Sequence, residues 1–358
     1  MKFNAIPLLF VLAGMTSVHA YAQSSVTLYG ILDGGVTYVS NQGGSHNVMS
    51  DSGIMQANRW GLLGSEDLGG GLKAIFQLEN GFSLNDGSMM SNLEFGRLAV
   101  VGLSSETYGK LTLGRQWDLM SDYLVEDTVA LRGGTAYSFH LFDADRIAGE
   151  RLNNAVKYMS PVIGGVSFGG MYGFSNVAGA FGGTPTAPRA VSFGAQYSHG
   201  PLVISAAYTN VNGQFGSLAS ITLGGNATRT MGMGARYSFT KLVVFGNATT
   251  TRVTNTPVYG NAVINNYEIG GDYSLTPSIR YSGGYTYTTF NHSDFHQFNA
   301  AIHYLLSVRT DVYLGLNFQH TNSNTGAGMF LIATPGSFAG FSSTGNQFAA
   351  RVGIRHHF

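Results

Sequence analysis

Residues Asn346 to Phe358 constrain the fold more than any other stretch of this chain. Phe348, Ala350, Val352, Ile354 and Phe358 fall on one parity, while Gln347, Arg351, Arg355 and His357 fall on the other. Alternation with period two makes a strand with one apolar and one polar face. A strand in last place must still satisfy both of its hydrogen-bonding edges. The segment, ending on an aromatic residue, therefore reads as the closing strand of a barrel whose apolar face looks into lipid.

The other end points to export. Lys2 supplies a positive start, Ile6 to Met15 is a short apolar run, and Ala20-Tyr21-Ala22 is a small-x-small cleavage pattern. Together they predict a secretory signal peptide over 1–22 and a mature barrel over 23–358. The run is well short of the ~20 apolar residues that a spanning helix needs, and no later stretch approaches that length.

Composition narrows the class. The chain has 50 Gly, 19 Tyr and 23 Phe but 8 Pro, which is not the make-up of a disordered segment. With no Cys it has no disulfide framework, and its zero formal net charge argues against a nucleic-acid partner. A mean hydropathy of +0.07 suits a barrel, in which lipid-facing and lumen-facing residues cancel in any average.

Short alternating segments recur from end to end. They run from Val26 to Tyr38, Arg59 to Asp67, Leu72 to Phe82, Leu93 to Ser105, Lys110 to Trp117, Asn154 to Ser160, Val166 to Ser175 and Arg189 to Ser198. The series continues with Leu202 to Val211, Arg229 to Phe239, Leu242 to Arg252, Tyr267 to Leu275, Ile279 to Phe290, Gln297 to Leu306, Asp311 to His320 and Gln347 to Phe358. The total is sixteen, an even number, and the spacing fits tilted transmembrane strands of ~9–11 residues joined by alternating turns and loops. The fold class is thus all-β, a transmembrane antiparallel barrel. One connection breaks the rhythm: Trp117 to Arg151 shows no sustained alternation and carries Asp118, Asp122, Glu126, Asp127, Arg132, Asp143, Asp145, Arg146 and Glu150. A loop this long in a compact architecture is usually functional or disordered; it reads either as a solvated surface loop or as a segment folded into the lumen as a constriction.

The runs LYG (Leu28 to Gly30), RWGLLGSEDLGGGLKAIFQLENGF (Arg59 to Phe82), FGRLAVVGL (Phe95 to Leu103), YGKLTLGRQ (Tyr108 to Gln116) and NNAVKYMSP (Asn153 to Pro161), with the terminal Phe358, resemble Gram-negative general diffusion porins. The resemblance implies a sixteen-stranded homotrimeric barrel in the outer membrane, surrounded by outer-membrane lipid and lipopolysaccharide. It also implies a third extracellular loop folded into the lumen as a constriction, passive passage of ions and small hydrophilic solutes, and no cofactor.

Carried over residue by residue, the resemblance gives the constriction a basic wall of Arg59, Arg97 and Arg151, faced by a loop with Asp122, Glu126 and Asp127. Parity places Arg97 opposite Leu98 and Val100, and gives Arg151 the same face as Lys157. Lys73 and Glu79 fall on the lumen parity of their segment. Arg115 shares parity with Leu111, Leu113 and Trp117 and so points outward, where a bare arginine is costly unless near the interface or paired; the family has an arginine there at the subunit contact. A second basic residue is common in the family four positions after the one matching Arg59. Here Leu63 stands in that place, which weakens an expectation of strong anion preference.

Enzymatic readings find little support. A hydrolase needs a nucleophile with a base and an orienting group, and no G-x-S-x-G run occurs. His292-Ser293-Asp294 occupies an expected loop tip. His292 with His296, and His356 with His357, read as solvated or interfacial rather than as metal ligands, and the spacing of Asp143, Asp145 and Glu150 is weak grounds for calcium. A substrate-selective channel with a solute-binding lumen is the alternative function.

Overall fold

The computed structural model describes residues 25–214, 217–324, 326–329 and 340–358. The expected signal peptide, 1–22, lies outside them. In chain order the strands are β1 (Ser25–Gln42), β2 (Ser45–Ser52), β3 (Arg59–Gly69), β4 (Leu72–Gly81), β5 (Leu98–Ser105), β6 (Gly109–Trp117), β7 (Arg151–Met159), β8 (Val166–Gly173) and β9 (Arg189–His199). They continue with β10 (Leu202–Asn212), β11 (Ala227–Ser238), β12 (Leu242–Thr256), β13 (Gly260–Ser274), β14 (Ile279–Phe290), β15 (Ser293–Leu305), β16 (Thr310–Thr321) and β17 (Asn346–His357). Strand pairing is antiparallel throughout, and β1 pairs with β17 from Ile31↔His357 to Val39↔Ala349, which closes the barrel.

The extra strand segment has a local cause. One edge of β1 is covered first by β3, at Ser25↔Ser65 to Ile31↔Arg59, and then by β2, at Gly34↔Ser52 to Val39↔Asn47. β2 and β3 are therefore one barrel strand interrupted at 53–58, which gives a closed sixteen-stranded barrel. The Asp33 carboxylate holds the interruption open by accepting the amides of Met55 and Gln56, and the Asn58 side-chain oxygen accepts the amide of Asp33.

The alternation in the last strand is realised as expected. Val352 and Ile354 stand 63% and 50% exposed on the outer face, while Gln347, Ala349 and Arg351 are buried inside. Arg351 ties the seam by reaching Asp33 and Thr37 on β1, Asp51 on β2 and the Tyr313 hydroxyl on β16. Phe358 exchanges backbone hydrogen bonds with Gly30, and its ring fills the space that a Cβ on Gly30 would need, 2.2 Å from that position. No helix among the described residues is long and apolar enough to cross a membrane, which leaves the strands as the spanning elements.

The segment 118–150 turns into the barrel. Asp118 caps helix α1 (Leu119–Leu124) by accepting the Ser121 amide, and a second short helix, α2, follows at Val129–Arg132. Leu119, Met120, Tyr123 and Leu124 bury against Ile147 and Ala207. Leu141, Phe142 and Ala144 pack on Val253, Ile264, Phe290 and Phe295. Wall glycines make room: a Cβ on Gly194 would meet the Tyr123 ring at 2.4 Å, and one on Gly234 would meet Asp127 at 2.6 Å. The loop is thus a packed inner layer along β9 to β17 that reaches Val39 of β1 and Ile54, and the passage is left on its other side.

Candidate functional site

The wall opposite the loop is built by strand ends. Arg59 begins β3 on the inward parity, across from Gly81, and its Nε donates to the Ala57 carbonyl at 3.0 Å. Glu79, inward on β4, accepts the Tyr29 hydroxyl at 2.9 Å and the Arg97 Nε at 2.6 Å. Arg97 reaches it from the bend before β5. Parity does not carry the assignment of Arg97, because the exposed outer face of β5 is Val101 and Leu103, which share its numerical parity, and Leu98 is buried. What turns Arg97 inward is its position ahead of the strand and its pairing with Glu79.

Arg151 needs a similar correction. In the β6–β7 pair, Gly114 faces Ala155 and Gln116 faces Leu152, so Asn153 and Asn154 form a bulge opposite Arg115. A bulge adds one residue and reverses the parity beyond it. Lys157 is inward, across from Thr112, but Arg151 lies across from Trp117 on the other parity, with its guanidinium carbon 3.8 Å from the Trp117 ring centre. Arg97 lies over the same ring at 5.5 Å. Arg59, Arg97, Arg151 and Glu79 thus share one electrostatic neighbourhood. Lys73 does not join them: it pairs with Asp67 beside the Gly69–Gly71 turn, six residues from Glu79 along β4, or about 20 Å at ~3.3 Å per residue.

The loop carboxylates have partners of their own. Asp122 accepts from Lys157 at 2.8 Å, Asp127 from Arg236 at 3.0 Å, and Glu126 from Arg132 of the loop itself at 2.9 Å. Arg132 also reaches Asp272 on β13 at 2.7 Å. Of the three, Glu126 is the one turned to open space, with its side chain 57% exposed. Burial raises Asp127 to about 6, against the opposing pull of Arg236.

Deeper ion groups clamp the loop. His140 stands between Asp145 at 2.6 Å and Glu268 of β13 at 2.7 Å, and Arg146 pairs with Asp118 and with Glu150 at 2.8 Å. Burial opposes the charge on His140, but the two carboxylates outweigh it and hold the imidazole proton well above its usual range. Charged wall residues not assigned from the sequence are Arg236, Arg280, Glu268, Asp272 and Asp311. The signal was present for Arg236 and Arg280, each of which stands next to an outward aromatic residue, exposed Tyr237 and Tyr281. Arg355 pairs with Asp311 at 2.9 Å. Among the described residues no group of three or more metal-binding side chains is gathered.

Arg115 lies at the outer edge of this region. Its Nε donates to the Gly96 carbonyl at 2.8 Å and its terminal nitrogen to the Asn153 side chain.

A barrel filled on one side by an inward loop and lined on the other by arginines matches a known family over most of its length: residues 9–325 fit the family described as Gram-negative porin. The chain belongs to the Gram-negative porins. It is 32% identical to outer membrane porin protein 32 of Delftia acidovorans, over 95% of each chain. It is 34% identical to an outer membrane porin protein of Bordetella pertussis, over 64% of each chain. The anion-selective porin from Comamonas acidovorans superposes with a TM-score of 0.80 at 28% identity, covering 94% of this chain and 100% of that one. The porin is therefore an outer-membrane barrel, a water-filled channel for passive diffusion and not an enzyme. Passage requires only that the gap admit a hydrated solute and that its charges set which ions enter, with no covalent step.

Proposed function

We propose that the porin favours anions and that its constriction lies between the loop, with Asp122, Glu126 and Asp127, and the wall of Arg59, Arg97, Arg151 and Glu79. One observation carries the reading: Arg59, Arg151 and Arg280 take part in no ion pair among the described residues, whereas the acids around the gap all do. Glu79 is offset by Arg97, Asp127 by Arg236 and Asp311 by Arg355. The acids clamped around Arg146 and His140 are buried behind the loop. In a confined passage with low-dielectric walls, charges without an opposite partner act on passing ions with less screening than charges on an open surface. The name of the Comamonas acidovorans relative, an anion-selective porin, agrees.

We further propose a homotrimer in which Arg115 lies at the subunit contact, with lipopolysaccharide as the outer-leaflet lipid around it. The decisive test of ion preference is the reversal potential of single channels in a potassium chloride gradient. A sign reporting chloride permeation supports the reading; a sign reporting potassium permeation overturns it.

A further inference from the structure

The barrel end that carries the inward loop also carries the long connection 213–226, whereas the opposite end turns within Gly200–Pro201 and Phe239–Lys241. Bacterial barrels keep short turns on the periplasmic side and longer loops outside, so the ends of β10 and β11 next to 213–226 face outward from the cell. Near that end, on the outer surface, stands a row of arginines. Arg229 of β11 shares parity with the exposed Met231 and Met233, and it lies directly across from Arg252 of β12. Buried Thr228, Thr230, Thr251 and Val253 alternate with the two, which fixes both guanidiniums on the outer face. Across the next strand Arg229 pairs with Asn210, whose side-chain oxygen accepts from Arg189 of β9 at 3.4 Å.

The height of the row matters. Arg252 lies ten residues beyond Leu242, the periplasmic start of β12, a rise of about 25 Å for ~3.3 Å per residue and a tilt of ~40°. That equals the apolar band of such a barrel, ~25 Å tall, and sets the arginines at its outer edge. Two like charges directly opposed across strands destabilise the pairing, and a guanidinium beside lipid is costly without a partner. The ion pair on β11 belongs to Arg236, on the inner face; among the described residues Arg189, Arg229 and Arg252 take part in none.

We propose that Arg189, Arg229 and Arg252 form a binding site for the phosphate groups of the phosphorylated glycolipid in the outer leaflet. The guanidinium fork matches phosphate oxygens in a bidentate manner, and a phosphate placed between Arg229 and Arg252 turns their repulsion into a shared attraction. The site lies outside the lumen and rests on the outer-membrane placement of the porin, but not on its ion preference.

The test uses the purified porin with bisphosphorylated lipid A, fully dephosphorylated lipid A and inorganic phosphate as separate probes. The wild type should bind bisphosphorylated lipid A in a salt-sensitive manner, and Arg229→Gln/Arg252→Gln should bind it about tenfold more weakly or worse. Both should bind the dephosphorylated lipid alike, and conductance of the double variant should equal the wild type. Equal affinity of wild type and variant for bisphosphorylated lipid A would overturn the site, as would inorganic phosphate binding the row as tightly as the lipid. The single variant Arg229→Gln removes one member of a repelling pair and so folds at least as readily; it must lose part of the affinity, and full retention overturns the proposal even where the double variant fails to assemble.

Discussion

Arg151 stacks on Trp117, its guanidinium carbon 3.8 Å from the ring centre, because the bulge at Asn153 and Asn154 carries it off the face of Lys157. The ring, which Arg97 also approaches, is a common platform for two cations that repel each other. A partly desolvated cation–π contact is worth about 0.5–2 kcal/mol, too little to abolish folding but enough to hold a side chain in place. Trp117→Leu should leave barrel yield unchanged and release both arginines, which shows as lower anion preference in reversal potentials. Unchanged selectivity would mean that Glu79 and the backbone alone position them.

Acid should strengthen anion preference. Burial pushes the Asp127 carboxyl up to about 6, and its partner is the guanidinium of Arg236. As the pH falls through that value the carboxylate takes up a proton, Arg236 is left uncompensated, and the lumen gains one positive charge. Glu126 and Arg132, the nearest other charges, act on both sides of the transition. Reversal potentials measured at about pH 7 and about pH 5 should move further toward chloride, and Asp127→Asn should remove most of that movement. A profile identical in Asp127→Asn would assign the titration elsewhere.

His140 clamps the loop to the wall through Asp145 and Glu268. Replacement by Leu leaves two buried carboxylates without their cation, a loss of about 3–5 kcal/mol for breaking a buried pair from one side. The strands are untouched, so the damage should fall on the loop. His140→Leu should show noisier single-channel currents and proteolytic cleavage within 118–150, with the barrel still resisting detergent. A quiet channel with a protected loop would show that the apolar packing of Leu141, Phe142 and Ala144 suffices.

The strands were legible in the sequence because a barrel wall imposes period two wherever one face meets lipid and the other water. β2 escaped that reading, since Ser45–Ser52 is mostly polar and carries one apolar residue on each parity, Val48 and Met49, so no alternation shows. The inward path of the loop was legible as a break in rhythm, but its pairings were not. Asp127 and Arg236 stand 109 residues apart in the chain, and only the closed barrel brings them together. Parity served Glu79, which sits within a regular strand. It failed at Arg97, which precedes its strand, and at Arg151, which lies beyond a bulge that no residue type announces.

The seam depends on the absence of a side chain at Gly30. A Cβ there would lie 2.2 Å from the Phe358 ring, so Gly30→Val should displace the terminal residue and weaken the β1–β17 closure. Lower yield of heat-modifiable barrel in the outer membrane is expected, with partial rescue by Phe358→Ala. Normal yield in Gly30→Val would show that the ring has another seat.

Subunit association gives a separate check. Arg115→Leu removes the bonds to Gly96 and Asn153 at the proposed contact, and should lower the temperature at which trimers dissociate in detergent while conductance holds. A fall in conductance with intact trimers would place Arg115 in the passage.

The central claim is that uncompensated guanidiniums at Arg59, Arg151 and Arg280 set the ion preference. The most direct measurement is the reversal potential, at low salt, of the combined variant Arg59→Gln/Arg151→Gln/Arg280→Gln beside Lys73→Gln. Loss or reversal of chloride preference in the triple variant, with Lys73→Gln close to wild type, is the predicted result. A triple variant as anion-selective as the wild type would contradict it.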